Sequence, residues 1–296
     1  MERKILYLIN PASGTGDKKK LEALIRAATK KSQLPFSIQS TEPDGNYAQL
    51  VERIRNERFT DIGICGGDGT VNAVIPNLNH LHLRFGIIPA GSGNGLAFSA
   101  GIPAKTTKAL ELFLKGKSKK VDAFKVNDAF ACMLSGMGFD AEVAHHFATE
   151  KNRGLGKYTW LTAKTFFHTT PYTFRVKANN QAFSTAAYFI CVANSNQFGN
   201  HITIAPRANI SDGMLDVIVV RKQFKPLLLI RLLRHLLSGK VKDVGEAQHE
   251  PVLYFQTSQL YIENLDNAPL HIDGEARPNI LEMSYNIMPH YFELIC

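Results

Sequence analysis

The sequence predicts an α/β half built on a parallel sheet, followed by a half of mostly antiparallel, sandwich-like β structure. Three observations carry this. Short apolar runs alternate with amphipathic helical stripes up to about residue 122. Beyond that point strand-like segments separated by turn residues take over. Finally, three glycine-rich loops each lie between an expected parallel strand and an expected helix. Alternation at this spacing builds βαβ units and hence a parallel sheet.

The elements follow in order. Residues 4–9 read as a buried strand, and Leu21, Leu24, Ile25 and Ala28 then fall at helical spacing. Residues 36–41 form a second strand, followed by a stripe of Tyr47, Leu50, Val51 and Ile54. Residues 62–65 are the third strand, with Val71, Val74, Ile75 and Leu78 on a helix after it. Residues 84–88 are the fourth, and 107–114 read as a further helix. In the second half, strands are expected at 124–133, 172–178, 186–193, 215–220, 252–257 and 259–263. Asn179-Asn180 marks a hairpin tip. Helices are expected at 141–148, 158–167 and 226–237. The expected domains are 1–122 plus a returning C-terminal strand within about 289–296, and 123–288.

Composition narrows the function. A chain of 296 residues, 45% hydrophobic and 20% charged, is globular and large enough for two ordinary domains. Its net charge of +8 points to an anionic partner. Nucleic acid is not expected, because no basic run or aromatic-rich RNA motif is present. The apolar stretch at 5–9 is too short for a signal-peptide core, and the run at 227–230 is far below a membrane span. A soluble, cytoplasmic protein is expected. Cys65, Cys132, Cys191 and Cys296 are scattered and read as free thiols, and the ten histidines show no zinc spacing.

The loops are Asn10-Pro11-Ala12-Ser13-Gly14-Thr15-Gly16, Gly66-Gly67-Asp68-Gly69-Thr70-Val71-Asn72 and Gly91-Ser92-Gly93-Asn94-Gly95. In an open parallel sheet the carboxyl ends of the strands lie along one edge, where ligands bind. Loops rich in bare N–H donors, joined to helix N-termini, suit phosphate there. A tight turn is the simpler reading of any one of them. There is no P-loop signature, and the stretch Gly136-Met137-Gly138-Phe139-Asp140-Ala141 lacks the βαβ unit that a dinucleotide fingerprint needs.

Taken with Pro89-Ala90 and Asp273-Gly274-Glu275, these motifs resemble the diacylglycerol, sphingosine and ceramide lipid kinases of bacterial type. More distantly the chain is similar to NAD kinases and phosphofructokinases. The resemblance covers essentially the whole chain. It implies a nucleotide-binding α/β domain, a β-sandwich-like lipid domain and an active site in the cleft. The activity implied is transfer of the ATP γ-phosphoryl group to a lipid hydroxyl, with diacylglycerol the first expectation and sphingoid base or ceramide next. An NAD kinase-like enzyme and a catalytically silent nucleotide or lipid sensor are the rivals.

The resemblance also implies roles. Residues Gly66, Gly67, Asp68, Gly69, Thr70, Val71 and Asn72 would meet the ATP phosphates, with Asn10, Pro11, Ala12, Ser13 and Gly14 beside the nucleotide. Thr41 and Ser92 match positions with nucleotide-contacting hydroxyls; capping the turn at 42–44 is an equal reading for Thr41. Arg153 and Lys157 would neutralise phosphate, or form a solvated basic turn. Glu275 is implied as proton acceptor, with Asp273 or Asp68 assisting or holding Mg²⁺; as a plain turn, Asp-Gly would cap a hairpin. Asn209, Asp212 and Met214 match a stretch that holds a structural Mg²⁺ through one carboxylate and two backbone carbonyls, or else form a turn before a strand. Asp216 is a further candidate. Asp140 matches a position that meets the lipid headgroup in sphingosine kinases. One departure stands out: Ala73 occupies the position where the family usually has Glu.

Residues 222–243, KQFKPLLLIRLLRHLLSGKVKD, set Arg231, Arg234, His235 and Ser238 on one helical face among leucines. Such a helix can line an acyl-chain pocket, rest on an anionic bilayer or cover the β core. The expected partner is a lipid substrate met by peripheral contact with the membrane surface. A homodimer is among the allowed assemblies.

Overall fold

A computed structural model describes residues 2–14, 16–42, 45–91, 93–149, 165–166, 168–197, 203, 205–225, 228 and 250–296, with the side chains of 146–149 excepted. The chain forms two compact units. One runs up to Asp122 and takes in His290–Cys296; the other is drawn from Ala123–Pro289.

The first unit alternates β1 (Ile5–Ile9), α1 (Lys18–Lys31), β2 (Phe36–Ser40), α2 (Ala48–Glu57), β3 (Asp61–Gly66), α3 (Asp68–Leu78) and β4 (Arg84–Pro89). It continues with α4 (Gly95–Ser99), α5 (Thr106–Lys115) and the start of β5 (Ser118–Val126). The strands pair in parallel in the order β2-β1-β3-β4. The chain's last residues, Glu293–Ile295, add a further parallel strand beside β4. β1 and β3 are buried along their whole length, as a sheet covered on both faces requires. One face carries Ile5, Tyr7, Ile9, Cys65 and Ile88 against Leu21 and Ile25 of α1 and Leu110 and Phe113 of α5. Phe113 lies directly on backbone there. A Cβ on Gly86 would come within 2.1 Å of its ring, and one on Gly63 within 2.5 Å of Tyr7.

At the strand starts, fully buried Asp61 accepts from Arg3 Nε at 2.6 Å and pairs with Arg84 Nη2 at 2.7 Å. Removing one arginine would leave a buried charge half-compensated, a change that costs about 3–5 kcal/mol.

The second unit is antiparallel. It holds β6 (Ala129–Ala131), β7 (Leu134–Gly138), α6 (Phe139–Thr149), β8 (Tyr172–Ala178), β9 (Gln181–Ala193), β10 (Leu215–Arg221), β11 (Val252–Thr257), β12 (Gln259–Asn264), β13 (Leu270–Ile272) and β14 (Glu275–Arg277). It also contains the first part of β15 (Glu282–Ile295). β9 is the organising strand: its first half pairs with β8, and its second half with β7 and β10. A single apolar core collects Phe124, Phe174, Ile190, Val217, Phe255, Ile262, Leu270 and Met283. This is the expected sandwich-like half.

Some expectations need correction. The strand expected at 124–133 is a β5–β6 hairpin, because Asn127 takes a left-handed φ of 52° and turns the chain. β7, β13, β14 and the short α4 have no counterpart in the pattern reading, and β15 begins at Glu282, ahead of the returning strand expected within about 289–296. The helices expected at 158–167 and 226–237 lie almost wholly outside the described residues.

Candidate active site

The first unit's three glycine loops lock onto one another. Asn10 Nδ2 donates to Thr70 Oγ1 at 2.8 Å, and Asn10 Oδ1 accepts the Ala12 N–H at 2.9 Å. Lys18 Nζ reaches back to Ser13 Oγ at 3.1 Å. Gly14 has φ 57°, and a Cβ there would stand 2.1 Å from the Ala90 carbonyl oxygen. A Cβ on Gly91 would lie 2.4 Å from Gly67 Cα, and one on Gly66 2.3 Å from Thr70 Oγ1. Backbone packs on backbone at Gly14 and Gly91 and on the Thr70 side chain at Gly66, so only glycine fits.

Asp68 opens α3, and its carboxylate accepts the N–H groups of Gly95 at 2.9 Å and Leu96 at 3.4 Å. Asn94, left-handed at φ 56°, accepts from Gly91 N–H at 3.0 Å and donates to the Gly91 carbonyl at 2.8 Å. Asp68 is therefore a strut between the second and third loops. Val71 is buried in the core and Asn72 is half-buried, while Gly69 is exposed at the start of α3. Pro11 and Ala12 are exposed beside Ser13. Ala73 sits on the exposed face of α3, where its carbonyl accepts from Asn77 Nδ2 at 2.8 Å. Thr41 is buried just past β2, and its N–H donates to the Ile9 carbonyl at 3.0 Å. Ser92, Arg153 and Lys157 lie outside the described residues.

In the second unit, Asp273-Gly274 is the turn of the β13–β14 hairpin, with φ 50° and 81°. The turn reading and the carboxylate reading of this triplet thus hold together. Asp273 is 5% exposed, and its carboxylate accepts three backbone N–H groups: Cys132 at 2.9 Å, Met133 at 3.0 Å and Leu134 at 2.8 Å. With both oxygens so engaged, this side chain anchors the hairpin to the start of β7. Glu275, by contrast, is exposed as the first residue of β14, and accepts from Arg277 Nη2 at 3.1 Å.

Behind the turn, buried His271 on β13 faces Asp140 in the first turn of α6, Nε2 to Oδ2 at 3.4 Å. Its Nδ1 accepts the Gly274 N–H at 3.3 Å, which leaves the ring proton on Nε2, toward Asp140. Burial pushes the Asp140 carboxyl above its ordinary value, against the lowering pull of His271. A Cβ on Gly136 would fall 1.8 Å from Asp140 Oδ2 and 2.5 Å from His271 Nε2. The Gly136–Ala141 stretch is therefore a strand-to-helix turn shaped around an Asp–His pair, and β7 pairs antiparallel on both sides.

The loop before β10 folds on its own side chains. Asp212 Oδ1 accepts the Met214 N–H at 3.1 Å and Asn209 Oδ1 the Ser211 N–H at 3.2 Å. Beneath it, fully buried Asp216 accepts from Tyr254 Oη at 2.6 Å and from Gln256 Nε2 at 3.3 Å. Burial raises the Asp216 carboxyl to about 6, and nearby Asp212 adds to the rise. Among the described residues no cluster of three or more His, Cys, Asp or Glu side chains could by itself hold a metal. No helix among them is long and apolar enough to cross a membrane. All four cysteines are free thiols. Lys18 and His271, which join these contacts, carry no local signal in the sequence, whereas Asn94 lies within the third glycine loop.

Residues 4–126 match the model of the diacylglycerol kinase catalytic domain. Residues 134–296, more than half the chain, match that of the YegS C-terminal NAD kinase beta sandwich-like domain. A diacylglycerol kinase of Staphylococcus carnosus is 23% identical over 98% of this chain and 94% of its own. One of Staphylococcus aureus (strain MRSA252) is 25% identical over 93% of this chain and 87% of its own. A crystal structure of a diacylglycerol kinase from Bacillus anthracis superposes with a TM-score of 0.74 at 20% identity, covering 99% and 96% of the two chains, and shows the shared fold. With both domain models matched in order and relatives matched over most of their length, this chain belongs to the diacylglycerol kinase-like lipid kinases with a YegS-type C-terminal domain, and is a lipid kinase.

Proposed function

We propose that this lipid kinase transfers the γ-phosphoryl group of ATP to the hydroxyl of diacylglycerol, giving phosphatidic acid for phospholipid biosynthesis. The observation that carries the reading is the interlocked set of glycine loops, whose backbone is fixed by Asn10, Asp68 and Asn94. Fixed N–H donors at the start of α3 suit nucleotide phosphates, since a phosphoryl transferase works mainly by positioning and charge stabilisation. Residues 1–122 with 289–296 take the nucleotide, and 123–288 take the lipid. Thr41, Ser92 and Arg153 contribute further nucleotide contacts.

Glu275 is the proton acceptor. The lipid oxygen bonds the γ-phosphorus while the bond to the β–γ bridging oxygen breaks; the hydroxyl proton passes to Glu275, and ADP leaves. The exposure of Glu275 and of its partner Arg277 leaves the carboxylate open to a substrate hydroxyl. Mg²⁺, when bound, supplies charge neutralisation at the phosphates. A structural Mg²⁺ suits Asp212 with the carbonyls of Asn209 and Met214: these are hard oxygens, and the paired acids Asp212 and Asp216 gain from a nearby cation. The net charge of +8 supports peripheral contact of a cytoplasmic enzyme with an anionic membrane.

The test is transfer from labelled Mg-ATP to mixed micelles of diacylglycerol, sphingosine, ceramide or monoacylglycerol, with NAD in parallel. Labelled phosphatidic acid is expected. Label in a sphingoid base or ceramide would move the acceptor class. Label in NADP alone would overturn the reading, and bound ATP without any transfer would favour a sensor.

A further inference from the structure

We propose that the Asp140–His271 pair is a positioning device for the proton-accepting hairpin: it holds His271 Nδ1 as the acceptor that fixes the Gly274 N–H and, through it, the direction in which Glu275 leaves the turn. The inference rests on the reading of Glu275 as proton acceptor. It draws on three independent features of the second unit. The imidazole bridges two elements far apart in the chain, α6 through Asp140 and the β13–β14 turn through Gly274. The turn itself is a two-residue link, Asp273-Gly274, with both residues at left-handed φ, 50° and 81°. Gly136 leaves the space that the pair fills, since a Cβ there would displace both Asp140 and His271.

The turn is thereby gripped from both sides. Asp273 ties its first peptide to the start of β7 through three N–H donors, and its own N–H donates to the Leu134 carbonyl at 2.7 Å. His271 ties its second peptide, the Asp273–Gly274 link, one residue ahead of Glu275. The His271 carbonyl is in turn held by Ser135 Oγ at 3.0 Å, so the residue cannot slide along β13. A general base loses efficiency steeply when its carboxylate wanders, because the proton must pass over a short hydrogen bond. His271 contributes to the rate without touching substrate.

Two isosteric substitutions separate the ends of the ring. An Asn side chain places an acceptor where Nδ1 sits, whereas Gln places its amide where Nε2 sits. In the full-length enzyme, with Mg-ATP and diacylglycerol micelles, H271Q is expected to lower kcat about tenfold with both KM values unchanged, and H271N, which keeps the acceptor but gives up the contact with Asp140, to lower it about threefold. The Gly274 amide, followed by hydrogen exchange, is expected to exchange about tenfold faster in H271Q and about threefold faster in H271N. Equal kcat and equal Gly274 exchange in all three proteins would overturn the proposal while E275Q, inert, still upheld the base. An active E275Q would remove the base and the proposal with it.

Discussion

The glycine loops of the first unit and the Asp273-Gly274 turn of the second are built in opposite ways. In the first unit the loops at 10–14, 66–72 and 91–95 are shaped by the absence of side chains. Gly14 stacks on Ala90 and Gly67 on Gly91, closer than any Cβ permits. In the second unit the Asp273-Gly274 turn stands clear, with nothing within 4 Å of a Cβ on Gly274, and is shaped by side chains that come to it. Backbone-built sites demand glycine at fixed places. Side-chain-built sites demand partners, and those can come from anywhere in the chain.

The strongest way to break this contrast is G91A. Its Cβ would meet Gly67 Cα at 2.4 Å and drive the second and third loops apart. We expect kcat/KM for ATP to fall about a hundredfold or more, the effect of roughly an ångström of misplacement. Near-normal ATP kinetics would show that the loops do not depend on backbone contact. D273A attacks the other design. It leaves three buried N–H donors without their acceptor, and should destabilise the second unit by about 3–5 kcal/mol in denaturant unfolding. Loss of activity with unchanged stability would instead give Asp273 a direct chemical part.

These two cases also show what was legible. The parallel sheet and its loops were, because alternation sets the strands and Gly14, Gly66 and Gly91 sit where a Cβ cannot. Even the Asn179-Asn180 tip was, and both residues are left-handed, at φ 50° and 61°. The pair of Asp140 and His271 was not, since 131 positions separate its members and neither carries a local pattern. Strands β13 and β14, three residues each, are likewise too short for periodicity to register. The anchoring role of Asp273 was hidden for the same reason: its partners lie at 132–134, and only the fold brings them near.

A smaller test concerns pH. The native state holds the Asp216 proton up to about pH 6, whereas an ordinary aspartate releases it near 3.8. The group's contribution to stability is therefore full below pH 3.8 and lost as pH rises through about 6. The loss amounts to up to about 3 kcal/mol. Unfolding free energies of wild type and D216N, measured across this window, should diverge by that slope; parallel curves would mean that Asp216 is ionised throughout. The smallest effect is expected at Gly16, which has nothing within 4 Å of a Cβ. G16A should change stability by less than about 1 kcal/mol and leave ATP kinetics alone. A large effect there would show that glycine in this loop serves something other than close packing.

The division of labour between the glycine loops and the hairpin turn is tested most directly by the steady-state kinetics of E275Q with Mg-ATP and diacylglycerol micelles. Glu275 is exposed on β14, so the fold should stand. The account predicts that kcat drops about a hundredfold or more while KM for ATP stays within about threefold. An unchanged kcat, or a loss expressed only as weaker ATP binding, would contradict it.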